Sequence, residues 1–180
     1  VRTLAVPQYA LRGYGQVAVI HRGPQPSDPG ELPEVIIAGY ASPQVVDREK
    51  HLITREALAG DLPRFLAHPK FRNAMLLHSN VQVAEVLPYW EHPESGQRWE
   101  TKVDDVGLFI VARVRTDKFR PKILDKVLAD VEAGKISSFS ISADAPFESR
   151  RYECADGPQG KTCFWVIDSV ELYEVTLCFP

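Results

Sequence analysis

The sequence predicts an α+β fold that is mainly β, and three observations lead to this prediction. Short apolar segments recur along the chain between stretches rich in glycine, proline and polar residues, which is typical of strands and turns. Only the segment from Pro121 to Ala133 has a clear helical spacing of apolar residues. From Ile136 to the end, the segments again read as strands. We therefore expect a mainly β protein with two or three helices.

The predicted strands are separated by recognisable breakers. A loop dense in glycine and proline spans 23–30, a charged turn spans 45–50, and a long turn spans 90–99. The segment 106–114 is apolar on both faces, which predicts a central strand. Strands are predicted over 14–20, 35–41, 74–77, 81–87, 106–114, 136–143, 163–167 and 170–179.

The first predicted helix is short and interrupted. Thr54 can cap a helix over 55–58, Gly60 should interrupt it, and a helical turn should restart at Asp61 and end before His68-Pro69.

The second helix, Pro121 to Ala133, is the clearest element of the chain. Gly134 stands where a C-terminal cap belongs, and Thr116 or Asp117 lies near the start. One apolar stripe is formed by Ile123, Leu124, Val127, Leu128 and Val131.

Composition indicates an ordinary globular protein. The chain has 180 residues, 44% hydrophobic and 25% charged, with a net charge of -3. This is enough for a single domain over 1–180 with a real core. No basic stripe suggests nucleic acid, no apolar stretch has membrane-spanning length, and the N-terminus lacks a signal pattern. The absent initiator methionine and the apolar ending Cys178-Phe179-Pro180 lead us to expect a natural chain that continues past residue 180.

The three cysteines, Cys154, Cys163 and Cys178, favour a reducing compartment. Cys154 and Cys163 flank a turn and can face each other across a hairpin. We expect cross-strand thiols there, with a disulfide as the alternative. The chain has no CxxC or paired-histidine motif, so neither a metal site nor a cofactor is predicted.

Three segments carry groups with catalytic chemistry. In the strand Ile136–Ala143, alternation puts Ser138, Ser140 and Ser142 on one face, opposite Phe139 and Ile141. Core packing of the apolar face would support an accessible serine nucleophile on the other. The alternative is a strand at the sheet edge with a polar face.

His78 ends the apolar run 75–77 and precedes Ser79-Asn80. An imidazole at the point where a strand leaves the core can act as general base. The alternative is a histidine that only bonds a backbone carbonyl. The other histidines are expected to be solvated at the surface: His21, His51, His68 and His92.

Glu174 is the only charged residue on the face that Val170, Leu172, Thr176 and Cys178 would share in the last strand. A carboxylate there needs a hydrogen-bond donor, and a histidine N–H would both satisfy it and be oriented by it. Solvent exposure or an arginine partner are the alternatives, and Asp168 is a fallback acid.

An oxyanion hole requires fixed donors. Arg150-Arg151 offers positive charge after the serine strand, although a solvated loop is the simpler interpretation.

These motifs together resemble those of the phage prohead (capsid) maturation proteases, in the branch of phage serine proteases. The resemblance runs from about Ile36 to Pro180 and leaves 1–35 as a variable N-terminal strand and loop. It depends on Ile37–Ala41 with Val46-Asp47-Arg48, Ile53–Leu58, Met75–Asn80, Gly134–Ser142 and Leu172–Pro180. Ser142 stands where many relatives have glycine.

The resemblance implies a β-barrel like that of the herpesvirus assemblin proteases, with two or three flanking helices. It implies a serine endopeptidase with Ser140 as nucleophile, His78 as general base and Glu174 as third member. The herpesvirus enzymes have a second histidine in that third place, whereas no histidine follows His92 here. Scaffold and major capsid proteins, and the protease itself, would be the substrates, cleaved inside the procapsid in the host cytoplasm.

Two other functions stay open at this stage. A catalytically inactive scaffold or capsid-assembly module could share the fold. An esterase is the other, but the chain lacks the G-x-S-x-G elbow. The resemblance also implies weak self-association, which we expect to use the helix from Pro121 to Ala133.

Overall fold

The structure, a computed structural model, describes residues 16–28, 30–117, 120–157 and 160–179. Within these ranges the chain is mainly β with two α-helices, as predicted. The helices are α1 (Arg55–Ala67) and α2 (Leu124–Glu132), and a 3-10 turn spans Phe147–Ser149. The strands are β1 (Ala18–Arg22), β2 (Val35–Pro43), β3 (His51–Ile53), β4 (Asn73–Leu76), β5 (Gln82–Leu87), β6 (Tyr89–Glu91), β7 (Arg98–Glu100), β8 (Lys102–Val103), β9 (Gly107–Val114), β10 (Ser138–Asp144), β11 (Arg150–Gly157), β12 (Gly160–Ile167) and β13 (Glu171–Cys178).

The main sheet is curled but not closed. Its strand order is β1-β2-β9-β5-β4-β13-β10, and β8 pairs with β9 off this path. Next to its two ends, the N–H of Val17 bonds the carbonyl of Ser137 at 2.7 Å. No ladder joins β1 to β10 in the part of the chain that is described, so the β-barrel that the resemblance implies takes the form of a curled half-barrel that is not closed. Smaller sheets, β11-β12-β3 and β6-β7, complete the architecture.

Strand β9 lies in the interior of the main sheet, between β2 and β5, as its apolar sequence predicted. Every residue of β9 except Arg113 is buried, because apolar side chains cover both of its faces. One face packs with α1 and α2, and its core includes Ile110, Leu58 and Leu124. The other face is covered by the β6–β7 hairpin, where Trp90 and Trp99 are buried. Burial of each such side chain contributes roughly 1.5–3 kcal/mol.

Helix α1 is continuous, which corrects the predicted interruption. The Thr54 hydroxyl caps it by accepting from the Ala57 N–H at 3.2 Å. Gly60 and Pro63 both lie inside the helix. Their unfavourable propensities are overridden by tertiary packing, since the helix buries Leu58, Leu62 and Phe65 against the sheet.

Helix α2 confirms the predicted second helix, although it is shorter than the predicted range from Pro121 to Ala133. Leu124, Val127 and Val131 are buried, whereas Ile123 precedes the helix and is exposed. Gly134 follows the helix at φ 69°, a left-handed conformation that suits glycine at this position. Apart from Ile123, the apolar stripe is therefore packed within this chain.

Five strands were not predicted. They are β3, which includes His51 and lies in parallel beside β12, the two strands of the β6–β7 hairpin at the predicted long turn, β8, and β11. They escaped prediction because their sequences are polar or very short. The first predicted strand, 14–20, falls partly outside the described residues, and the observed strand β1 begins at Ala18.

The β11–β12 hairpin brings Cys154 opposite Cys163, and the two form a disulfide. The expectation of free thiols is therefore wrong, because direct cross-strand pairing brings the two sulfur atoms within bonding reach. No helix in the described ranges has both the length and the apolar character needed to cross a membrane.

Candidate active site

His78 lies on the turn that joins β4 to β5. Leu77 and His78 both have φ of 52°, and the N–H of Ser79 bonds the carbonyl of Leu76 at 2.9 Å. Two successive positive φ angles and this bond are the features of a type I′ turn, which ordinarily uses asparagine and glycine. Residues with a Cβ are strained in this conformation by about 1–3 kcal/mol each. Such strain persists only where neighbouring structure enforces it.

The last strand, β13, enforces this turn. The N–H of Leu77 bonds the carbonyl of Leu177 at 2.9 Å. The N–H of His78 bonds the hydroxyl of Thr176 at 2.9 Å, and that hydroxyl donates to the carbonyl of Met75 at 3.1 Å. Thr176 is fully buried. The backbone of the turn at His78 is consequently held against the same strand that carries Glu174.

Glu174 contacts His78 directly. Its Oε1 lies 3.1 Å from Nδ1 of His78, and its side chain is largely buried at 18% exposure. The parallel pairing of β4 with β13 brings the two residues together. A carboxylate at Nδ1 leaves Nε2 as the ring nitrogen that can exchange a proton with another group.

Ser140 lies on β10, where it pairs with Thr176 across the sheet. Phe139 on the opposite face is buried and Ile141 packs against the main core, in agreement with the predicted alternation. Ser140 and His78 line the same cleft. Among the described residues, however, no hydrogen bond joins the Ser140 hydroxyl to His78. The structure thus pairs His78 with Glu174 and places Ser140 beside the same opening.

The cleft has a volume of about 1100 Å³ and opens between the C-terminal ends of β2 and β10. Its lining holds more carboxylates than guanidinium groups. The charged lining residues are Asp47, Glu49, Asp61, Asp144, Glu171, Arg64 and Arg150. This volume is large enough for several residues of an extended peptide.

Arg150 lines the cleft, and its Nη2 donates to the carbonyl of Ala145 at 2.7 Å. Arg151 instead bonds Asp168 at 2.7 Å and pairs with Glu153. The two arginines begin β11 rather than forming a solvated loop. Asp168, the fallback acid, is engaged with Arg151 and does not contact His78 in the described structure.

One wall of the cleft is tied to β13 by an ion pair on α1. Asp61 accepts two bonds from Arg64, at 2.6 and 2.8 Å, and one from the N–H of Leu172 at 2.6 Å. Arg64 also donates to the carbonyl of Leu172 at 2.6 Å. These bonds fix the start of the strand that carries Glu174.

Sequence reasoning missed two residues of the site. Ser142 was placed on the serine face but given no role, yet its Oγ lies 3.1 Å from Nδ1 of His78 and 3.4 Å from Oε1 of Glu174. Thr176 was noted only as a neighbour of Glu174. The alternation of β13 was the available signal for Thr176, since it placed a hydroxyl on the same face as the carboxylate.

The remaining histidines only partly match their predicted surface positions. His21 is buried on β1 beside Trp90, with ring centroids 4.8 Å apart. Burial lowers the pKa of His21, and His92 lowers it further, while Glu34 and Glu94 oppose both effects. His51 is half-buried on β3. The prediction of surface solvation is wrong for His21. Strand β1 pairs with β2, and this pairing places His21 beneath Trp90 of the β6–β7 hairpin.

Cys178 is the free cysteine of the described chain and lies on the site strand. Burial and the nearby Glu174 carboxylate raise the pKa of its thiol. A protonated thiol is a poor nucleophile. Cys178 is therefore a weak candidate for a nucleophile in this site.

Asp47, Glu49 and His51 form the one group in the described ranges whose spacing suits a metal ion, with ligand atoms within 4.8 Å of one another. Asp47 and Glu49 are exposed, and the Asp47 carboxylate accepts a bond from the N–H of His51 at 2.8 Å. Exposed acidic groups of this kind commonly have no ion, and we assign none here.

Comparison with known proteins shows a likeness in fold. No protein-family model matches the chain, and no curated protein sequence matches it. Among solved structures, the chain is similar to the bacteriophage T4 capsid assembly protease, gp21, with a TM-score of 0.54 and 19% sequence identity. The alignment covers 93% of this chain and 94% of gp21. The two proteins share a fold over almost their whole lengths.

Proposed function

We propose that the chain is a serine endopeptidase of the phage prohead maturation class. The observation that carries the proposal is the 3.1 Å contact between His78 Nδ1 and Glu174 Oε1, beside a cleft that Ser140 also lines. The fold shared with a capsid assembly protease supports the same class of function. We also propose that the chain is related in fold to the herpesvirus assemblin proteases. Residues 1–180 would then form one peptidase domain.

In the proposed reaction, Ser140 Oγ attacks the carbonyl carbon of the scissile peptide bond. Nε2 of His78 takes the hydroxyl proton. Glu174 accepts a hydrogen bond from the Nδ1–H of His78 and stabilises the imidazolium. The tetrahedral intermediate collapses when His78 gives the proton to the departing amine. Water then hydrolyses the acyl-enzyme ester with His78 again as base, which frees Ser140.

The Ser140–His78 bond would form when substrate binds. Catalytic hydrogen bonds in free enzymes are often long and tighten in the substrate complex. A bound peptide would exclude water from the cleft and press the hydroxyl toward the imidazole. The substrates we propose are scaffold and major capsid proteins and the chain itself, cleaved inside the procapsid in the host cytoplasm. Neither nucleic acid nor a membrane takes part in this reaction.

The test compares the parent with Ser140→Ala. Labelling by a fluorophosphonate probe, mapped by mass spectrometry, and self-cleavage on incubation are the two readouts. We expect label on Ser140 in the parent and loss of both signals in the variant. Ser138→Ala is the matched control, because it makes the same change two residues earlier on the same strand. It should keep both signals.

An inactive scaffold or capsid-assembly module is the second candidate function. The observation that favours it is the lack of a Ser140–His78 hydrogen bond among the described residues. A parent protein that takes up no phosphonate and does not cleave itself, yet binds capsid or scaffold protein, would establish this candidate and exclude the protease.

We also propose weak self-association. The apolar stripe residues of α2 itself are buried within the chain, so the contact would use exposed residues such as Ile123, which precedes the helix. Sedimentation that shows a monomer at high concentration would contradict self-association.

A further inference from the structure

We propose that Ser142 is a positioning residue of this site, which fixes the tautomer of His78 and the direction of the Glu174 carboxylate. Its Oγ lies 3.1 Å from Nδ1 of His78 and 3.4 Å from Oε1 of Glu174. Ser142 Oγ, Glu174 Oε1 and His78 Nδ1 therefore form a triangle of mutual contacts on the Nδ1 side of the imidazole. The catalytic consequence rests on the proposed function, whereas the positioning contact itself does not.

The strand pairing explains why Ser142 reaches both groups. In the ladder between β10 and β13, Ser142 pairs directly with Glu174. Cross-strand partners have side chains within about 4.5–5.5 Å of one another at Cβ, close enough for a hydroxyl to meet a carboxylate. A register shift follows immediately after Ser142. A one-residue slip before this point would turn the hydroxyl away from Glu174.

The proton inventory assigns the roles within the triangle. A carboxylate oxygen only accepts, so both the Ser142 O–H and the His78 Nδ1–H donate to Oε1. The Ser142 oxygen can also share the Nδ1–H as a second acceptor. Both contacts favour the tautomer with its proton on Nδ1. That tautomer leaves the lone pair on Nε2, where a general base needs it.

The same geometry argues against Ser142 as the nucleophile. A Ser142 nucleophile would give its proton to Nδ1, which would then have to be unprotonated and could donate nothing to Glu174. The described residues that line the cleft include Ser140 and His78 but neither Ser142 nor Glu174. Ser140 is thus on the substrate side of the imidazole, and Ser142 is behind it.

The first measurement does not depend on activity. Nitrogen-15 NMR of histidine-labelled Ser140→Ala protein gives the His78 tautomer directly. We expect mainly the Nδ1–H form, a smaller fraction of it when Ser142→Ala is added, and recovery with Ser142→Thr, which keeps the hydroxyl. Ser138→Ala should leave the tautomer unchanged. An identical His78 tautomer in the presence and absence of the Ser142 hydroxyl would overturn the proposal.

The second measurement uses proteins that retain Ser140. We expect Ser142→Ala to lower the maximal rate of phosphonate labelling about tenfold, the effect of losing one charge-assisted hydrogen bond, with probe affinity changed less than about twofold. Ser142→Thr should restore the rate. Phosphonate attached to Ser142 itself would also overturn the proposal. A parent that never labels would defeat the proposed function, while the tautomer measurement would still decide the role of Ser142.

Discussion

The hydroxyl of Thr176 accepts a hydrogen bond from the backbone N–H of His78 at 2.9 Å. The same hydroxyl donates to the Met75 carbonyl at 3.1 Å, so one buried side chain bridges the strand before the turn and the turn itself. Since Leu77 and His78 both have positive φ, the contact offsets part of the cost of a strained turn. Thr176 therefore helps to fix the backbone from which the imidazole extends.

Replacement of Thr176 by valine tests this role, because valine keeps the shape and removes the hydroxyl. The N–H of His78 and the carbonyl of Met75 would lose their shared partner, and a buried unsatisfied group costs about 1–3 kcal/mol. We expect a loss of unfolding free energy of that size in urea titration, with phosphonate labelling slowed about tenfold.

Thr176→Ser is the matched control, since it keeps the hydroxyl and loses only a methyl group. It should label at nearly the parental rate. A Thr176→Val protein that matches the parent in both stability and labelling would show that the turn does not need this bond.

Asp61→Ala should destabilise the protein by about 1–3 kcal/mol, because the Leu172 N–H and the Arg64 guanidinium would lose a partner in a half-buried position. Urea unfolding followed by tryptophan fluorescence measures the change. Glu56→Ala, on the exposed side of the same helix, should change stability by less than about 0.5 kcal/mol. Equal effects of the two substitutions would contradict the role assigned to Asp61.

His21 should make the stability of the folded protein fall in mild acid. Burial and His92 lower its pKa from the ordinary 6.5, so below pH 6.5 the unfolded chain binds a proton that the folded chain excludes. Stability is therefore fully present above pH 6.5 and is lost as the pH falls from there toward the lowered folded value. Glu34 and Glu94, which raise the pKa, reduce the size of this loss.

The measurement is the urea midpoint of the parent and of His21→Phe above and below pH 6.5. We expect the variant to lose less stability on acidification than the parent. His68→Gln replaces an exposed histidine and serves as the control. Its urea midpoint should fall on acidification as much as that of the parent. Parallel pH profiles for the parent and His21→Phe would exclude this source of acid sensitivity.

Cys178 should react slowly with iodoacetamide at neutral pH, because burial and Glu174 keep its thiol protonated beyond the usual pH range. Mass spectrometry of the alkylated protein measures the rate. Cys178→Ala should keep phosphonate labelling of Ser140, since the proposed chemistry uses no thiol. Abolished labelling in this variant would point instead to a cysteine in the reaction.

Local patterns explain which elements were predictable. Period-two alternation located β10, a run apolar on both faces located β9, and a helical stripe located α2, because such segments must bury their apolar residues wherever the chain places them. The same reasoning failed for α1, where packing of Leu62 and Phe65 overrides Gly60 and Pro63. It also failed for β11, whose polar residues gave no apolar pattern.

The sequence by itself determined the mainly β class and the segments that carry His78, Ser140 and Glu174. Only the tertiary structure decided that the sheet stays open and that His78 Nδ1 meets Glu174. It also showed that Ser142 and Thr176 join the site. The physical reason is that alternation fixes a side chain's face, whereas contacts between distant segments depend on strand order and register. Those are set by the packing of the whole chain.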